Sequence, residues 1–78
     1  MRPEEVHAFL MRRPFMPFRI HLTDGTMYEV RHPDQCILTR SAIIVGIPHP
    51  TQPWAQRVAF YSLIHVNRLE SVEAEQPT

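Results

Sequence analysis

The fold is decided by the stretch Phe18–Val30, which reads FRIHLTDGTMYEV. Apolar Phe18, Ile20 and Leu22 alternate with polar residues, and this period of two is typical of a half-buried strand. A second strand-like run, residues 26–31, follows the Asp-Gly pair of the stretch, which is a hairpin signal. The sequence therefore predicts an antiparallel hairpin with one apolar face.

The charge pattern also predicts the register of this hairpin. A two-residue loop would place Glu29 opposite Ile20, so that a charge faces an apolar residue. A three-residue loop, Thr23–Gly25, instead pairs Ile20 with Tyr28 and Arg19 with Glu29. We expect the longer loop, with its glycine in the left-handed conformation of a bulged turn.

A short helix is predicted before the hairpin, over residues 3–13. Pro3 suits the first helical position, and Pro14 stops the helix. One stripe of this helix holds Val6, Phe9, Leu10 and Arg13. A helix of about ten residues is not stable alone in water, so the stripe is expected to dock on the rest of the chain.

Further strands are predicted over residues 36–39, 42–47, 57–61 and 65–72, with one helical turn at residues 62–64. Pro33 is expected to bend the chain after the hairpin. The near-continuous apolar run Ala42–Ile47 is typical of a strand that is covered on both faces. Val58 and Phe60 are predicted to share one face of their strand.

This order of elements predicts a mainly β fold. The expected architecture is a small SH3-like or Sm-like antiparallel barrel of five or six strands with a short N-terminal α-helix. Residues 1–72 are expected to form a single domain, and residues 73–78 a flexible tail. A chain of 78 residues buries only about 60% of its unfolded surface, so self-association would add useful burial.

Composition excludes several classes of protein. Eight basic residues balance eight acidic residues, and this zero net charge argues against a dedicated nucleic-acid or membrane-surface binder. The single cysteine cannot form an internal disulfide, which favours a reducing, cytoplasmic location. The longest apolar run is far too short to cross a membrane, so no membrane partner is expected.

Two segments, residues 13–25 and 29–33, follow the pattern PFxPFxIHLxDG…VxHP. In this pattern the chain resembles an uncharacterised family of small bacterial, planctomycete-type proteins, and the resemblance extends over roughly residues 13–72. It implies no known activity. A weaker similarity links Ile20–Gly25 to the first motif of the Sm-like proteins, and this similarity implies a small barrel.

The candidate interaction site is the proline-rich loop and the tryptophan that follows it. We name His49, Pro50, Pro53 and Trp54 as its residues. A large aromatic residue on an extended loop either folds back onto the protein or serves as an anchor for a partner, and the sequence leaves both options open.

The sequence favours neither a metal site nor an enzyme. The five histidines show none of the usual metal-ligand spacings. Cys36 would share a strand face with His32 and Asp34, which suggests a thiol nucleophile, but a small core residue is the favoured interpretation. We therefore predict no catalytic residue and no cofactor.

The leading functional prediction is a non-enzymatic small-barrel interaction module that self-associates or binds another protein. The alternative is an Sm-like oligomeric RNA-binding protein. Under that alternative, phosphate contacts would come from four arginines: Arg19, Arg31, Arg57 and Arg68.

Overall fold

The computed structural model describes residues 1–72, and the predicted flexible tail, residues 73–78, lies outside the described residues. One helix and six strands follow one another along the chain. They are α1 (Pro3–Leu10), β1 (Phe18–Leu22), β2 (Met27–Val30), β3 (Cys36–Leu38), β4 (Ala42–Pro48), β5 (Ala55–Ser62) and β6 (Val66–Ser71). Short 3-10 turns, Pro33–Gln35 and Leu63–His65, precede β3 and β6.

The strands form two antiparallel three-stranded sheets, in the orders β2-β1-β6 and β3-β4-β5. The predicted mainly β fold with one short N-terminal helix is therefore confirmed. Within residues 1–72 no strand pairing joins the two sheets into a closed barrel, so the SH3-like or Sm-like barrel stays a prediction. The chain crosses from the first sheet to the second at the turn that contains Pro33, where a strand ladder cannot continue.

The hairpin register is confirmed. Ile20 pairs with Tyr28, and Arg19 pairs with Glu29. The Leu22 N–H donates to the Thr26 carbonyl at 2.9 Å, which closes the three-residue loop. Gly25 has a φ of 89°, the left-handed conformation that glycine adopts without strain.

The last strand, β6, contains a bulge that changes which of its side chains point inward. Val66 pairs with Leu22 and Arg68 pairs with His21, so Asn67 is an extra residue in the ladder. Such an insertion reverses the side-chain alternation. Val66 and Leu69 therefore both point inward, although their spacing would place them on opposite faces of a regular strand.

The core lies between the inner faces of the two sheets and one side of the helix. Eleven buried residues form it: Val6, Leu10, Phe18, Ile20, Leu22, Val30, Cys36, Ile43, Val45, Leu63 and Val66. The helix docks on its own chain. Its Phe9 ring packs 5.1 Å from the Phe18 ring, and the terminal amine of Met1 donates to the Leu63 carbonyl at 3.0 Å.

The helix is shorter than predicted, since it ends at Leu10 and not at Arg13. Pro14 excludes Arg13 from helical conformation, and the Arg13 guanidinium instead donates to the Leu10 carbonyl at 3.2 Å. Arg13 therefore satisfies a free carbonyl at the helix end and does not extend the apolar stripe.

The prediction that β4 is covered on both faces is wrong. Ile43 and Val45 are fully buried on the inner face, but the outer face around Ile44 is open. The ends of this hairpin also differ from the prediction, because Pro48 still pairs with Ala55 beyond an irregularity in the ladder. A proline is tolerated at a strand end, where its missing N–H leaves no ladder bond unmade inside the sheet.

Candidate interaction site

Trp54 lies on the loop between β4 and β5 and does not fold back into the core. It is 62% exposed, which answers the question that the sequence left open. The His49 N–H donates to the Trp54 carbonyl at 3.3 Å, and the two rings lie 6.3 Å apart. Backbone contacts therefore hold this large aromatic side chain at the surface.

His49 shapes the loop from within. Its Nδ1 atom accepts the backbone N–H groups of Thr51 and Gln52, each at 3.1 Å. An acceptor at Nδ1 requires that the ring proton sit on Nε2. His49 thus orders the turn that presents Trp54.

A cavity of about 730 Å³ opens beside Trp54. Its walls are the 3-10 turn before β3 and the loop before β5, and its lining residues are His32, Pro33, Asp34, Gln35, Gly46, Pro48, Gln52, Pro53, Trp54 and Ala55. Of the four residues named from the sequence, Pro53 and Trp54 line the cavity, whereas His49 and Pro50 do not. The opposite wall was not predicted from the sequence, because the bend expected at Pro33 was the only local signal there.

Gln35 fixes this opposite wall. Its side-chain amide donates to the Glu29 carbonyl at 2.9 Å and to the Gly46 carbonyl at 3.0 Å. Its side-chain oxygen accepts the Arg31 N–H at 2.8 Å. One side chain therefore joins the end of β2 to the middle of β4 and holds the turn between them.

A second surface feature lies on the outer side of the β3-β4-β5 sheet. Ile37, Ile44 and Phe60 form one row across the three strands, and Val58 lies next to this row on β5. Ile37, Val58 and Phe60 are 58%, 59% and 69% exposed, and Ile44 is half-buried. We call these four residues the apolar face. The sequence predicted that Val58 and Phe60 share a face but did not indicate that this face is outward.

The outer side of the β2-β1-β6 sheet is charged instead. Arg19 lies between Glu29, at 3.2 Å, and Glu70, at 3.9 Å. His21 donates to Glu70 at 2.8 Å, and Arg68 lies 3.8 Å from the same carboxylate. We call these five residues the charged face. The hydrogen bond from His21, with the nearby arginine charges, lowers the pKa of Glu70.

The structure separates the four arginines that the RNA-binding alternative named. Arg19 and Arg68 lie on the charged face, and Arg31 forms an ion pair with Glu29. Arg57 lies on the other sheet, opposite Ile47. A phosphate track that uses all four side chains is therefore not assembled on one face.

Cys36 is a core residue, as the favoured interpretation predicted. It is buried at 5% exposure, and burial raises the pKa of its thiol to about 11, so it stays protonated at neutral pH. His32 and Asp34 line the cavity without it. Among residues 1–72 no group of three histidine, cysteine or acidic side chains is placed to hold a metal ion.

No family model, curated protein or solved structure matches this chain. The single helix, with eight residues, is too short to cross a bilayer, and no other helix occurs in the described part of the chain. Within residues 1–72 the cavity, the apolar face and the charged face are the surfaces that could serve a function.

Proposed function

We propose that this protein is a non-enzymatic small-barrel interaction module that self-associates through the apolar face. The observation that supports this proposal is the row Ile37, Ile44 and Phe60, which lies open across three strands. Contiguous apolar side chains on a small protein mark interaction surfaces. Their removal from water stabilises a complex by roughly 25 cal/mol per Å² before the costs of association.

The occupant that fits this surface best is a second copy of the chain. Within the described residues, the outward positions that pair across β3, β4 and β5 hold no charged side chain: Ile37, Ala42, Ile44, Gly46, Val58, Phe60 and Ser62. A two-fold axis places such a patch on itself. An uncharged patch can then pack in any orientation without opposing like charges, whereas the charged face could do so only where each arginine met a carboxylate of the other copy.

The free edge of β5 supports the same occupant. Within residues 1–72, β5 pairs only with β4, so an edge of eight residues is left unpaired. Proteins usually protect such an edge with charged side chains or proline, and β5 contains one charged residue, Arg57, and no proline. Phe60 and Val58 lie on this same strand, so a copy seated on the apolar face also shields the edge.

The small-barrel architecture is part of the proposal. Six short strands lie in two sheets, and the chain passes between the sheets twice, each time at a 3-10 turn of three residues. Such an arrangement supports an SH3-like or Sm-like barrel. A protein of this size has little core to spare, so added burial in a dimer would also raise its stability.

Light scattering of Phe60→Asp tests the proposal. We expect the wild-type chain to be mostly dimeric at about 100 μM, with a mass approaching twice that of the monomer and a Kd of roughly 1–10 μM. Phe60→Asp should be monomeric there, because it places a charge at the most exposed residue of the apolar face.

Met27→Asp is the matched control for this experiment. Met27 is 45% exposed on the outer side of the other sheet, opposite His21, so the same change of side-chain type there should leave the dimer intact. A wild-type monomer at about 100 μM, or equal masses for both variants, would overturn self-association through this face.

A second candidate function, Sm-like RNA binding, is favoured by one observation. Arg19, Arg31 and Arg68 lie on or beside one sheet face, where they outnumber Glu29 and Glu70. This excess of one positive charge is small for phosphate binding. The absorbance ratio of the light-scattering peak separates the candidates, because an RNA-binding ring would retain nucleic acid.

A further inference from the structure

We propose that the cavity beside Trp54 binds the guanidinium group of an arginine side chain on a partner peptide. This inference goes beyond self-association, because it concerns a different ligand and side chains outside the apolar face, although Gly46 borders both. It depends on the two side chains that give the cavity its chemistry, Asp34 and Trp54.

The cavity has the size and the fixed walls of a binding site. Its volume of about 730 Å³ lies within the range that is usual for small-ligand pockets. One wall is held by the three hydrogen bonds of Gln35, and the other by the two that His49 accepts. A ligand therefore meets walls that are already ordered, which reduces the entropy lost on binding.

The charge of the cavity selects a cation. Asp34 is the only permanently charged side chain among the lining residues, and no described residue forms an ion pair or a hydrogen bond with its carboxylate. The other charged carboxylates near β2 and β6, Glu29 and Glu70, both have arginine partners. Asp34 is thus an anion that still has room for a charged partner.

Trp54 favours the planar guanidinium group of arginine over the compact ammonium group of lysine. The residue is 62% exposed and lines the cavity, and a guanidinium stacks on an indole ring better than an ammonium does. The same guanidinium can donate two parallel hydrogen bonds to one carboxylate. The protein makes one guanidinium–aromatic contact within its own fold, where the Arg12 guanidinium lies 4.0 Å from the centre of the Phe9 ring.

The proline side chains complete the fit. Pro33, Pro48 and Pro53 line the cavity and offer apolar contact to the methylene stem of an arginine. An arginine in an exposed peptide segment can reach such an open cavity, which is why the proposed ligand is a peptide.

Trp54 is the only tryptophan of the chain, so its fluorescence reports directly on this cavity. The full-length protein is titrated at about pH 8, where ordinary histidines are neutral, with three capped tripeptides of sequence Gly-X-Gly. The central residue X is arginine, lysine or citrulline, which has the shape of arginine without its charge. We expect a saturable change with the arginine peptide, at least about fivefold weaker binding of the lysine peptide, and no saturable change with citrulline.

Asp34→Asn should weaken binding of the arginine peptide by about tenfold. Glu4→Gln is the matched control, because it removes one negative charge from a side chain that is 73% exposed on the helix, and it should bind like the wild type. Equal binding of arginine and citrulline peptides, an unchanged affinity of Asp34→Asn, or no saturation up to about 10 mM peptide would each overturn the proposal.

The same titration of Phe60→Asp separates this proposal from the proposed function. If arginine binding persists in a monomeric variant, the cavity works without self-association. If the wild type is a dimer and the arginine peptide does not bind, self-association stands and the arginine site is rejected.

Discussion

The two sheets differ on their outer sides although their inner sides are alike. Each sheet has a row of three residues that crosses its central strand on the outer side. In the first sheet this row is Glu29, Arg19 and Glu70, and in the second it is Ile37, Ile44 and Phe60. On their inner sides both sheets present mainly apolar residues, buried or half-buried, to the core.

This difference shows that strand alternation specifies the core without specifying what lies outside it. In the charged row, Arg19 bridges two carboxylates, so the row satisfies itself within one chain. In the apolar row, Phe60 is 69% exposed, so in the isolated chain its ring lacks the stabilisation that burial would give. The charges of the first row are paired within one chain, whereas the side chains of the second row become buried only when a partner covers them.

The largest effect is expected when the apolar row of the second sheet is replaced by the charged row of the first sheet. The triple variant Ile37→Glu, Ile44→Arg and Phe60→Glu should raise the dimer Kd more than about 100-fold, since it replaces the apolar contact with charges that satisfy each other. Its fold should persist, because the core rows are untouched. Light scattering across a concentration series measures the change in mass.

The matched control neutralises the charged row through Arg19→Gln, Glu29→Gln and Glu70→Gln. This variant leaves the apolar face unchanged and should associate like the wild type. An equal dimer Kd for the Ile37→Glu, Ile44→Arg, Phe60→Glu variant and the wild type would show that the apolar face is not the dimer contact. The difference between the two outer faces would then not explain self-association.

A smaller effect is expected when the link between the two sheets is cut. Gln35→Ala removes three hydrogen bonds and leaves the Glu29 and Gly46 carbonyls without their partner. We expect a loss of about 2–3 kcal/mol in the free energy of unfolding, measured by urea denaturation. Gln52→Ala removes an exposed side chain of the same type and should change stability by less than about 0.5 kcal/mol. Equal midpoints for the two variants would contradict a structural role for Gln35.

The hairpin and its register could be predicted because local signals agree there. The alternation of Phe18 with Arg19, the Asp-Gly pair and the Arg19–Glu29 match all indicate one answer. The last strand could not be predicted in the same way. Its bulge at Asn67 depends on the pairing with β1, which lies over forty residues away in the chain.

The candidate site was predictable on one side only. The prolines around Trp54 marked an exposed loop, and Trp54 and Pro53 do line the cavity. Asp34 and Gln35 belong to the opposite wall, and only the pairing of β3 with β4 brings that wall near Trp54. The outward direction of Phe60 was equally hidden, because an apolar residue at every second position satisfies either face of a sheet.

The smallest effect is expected from the charged face, and it depends on pH. The hydrogen bond from His21, with the charges of Arg68 and Arg19, lowers the pKa of Glu70 in the folded protein below its ordinary value of 4.5. The ionised form is therefore favoured by folding. Its stabilising contribution is present above pH 4.5 and is lost as the pH falls through the lowered pKa.

Glu70→Gln should abolish this part of the acid dependence. Urea denaturation from neutral pH downward should show wild type more stable than the variant above pH 4.5, with the gap closing as the wild-type carboxylate is protonated. Glu4→Gln, at a highly exposed side chain, should follow the wild-type curve. Parallel curves for wild type and Glu70→Gln would mean that Glu70 gains nothing from His21 and the arginines on folding. The contacts of Glu70 on the charged face would then not stabilise the fold, and the two outer faces would differ only in their affinity for water.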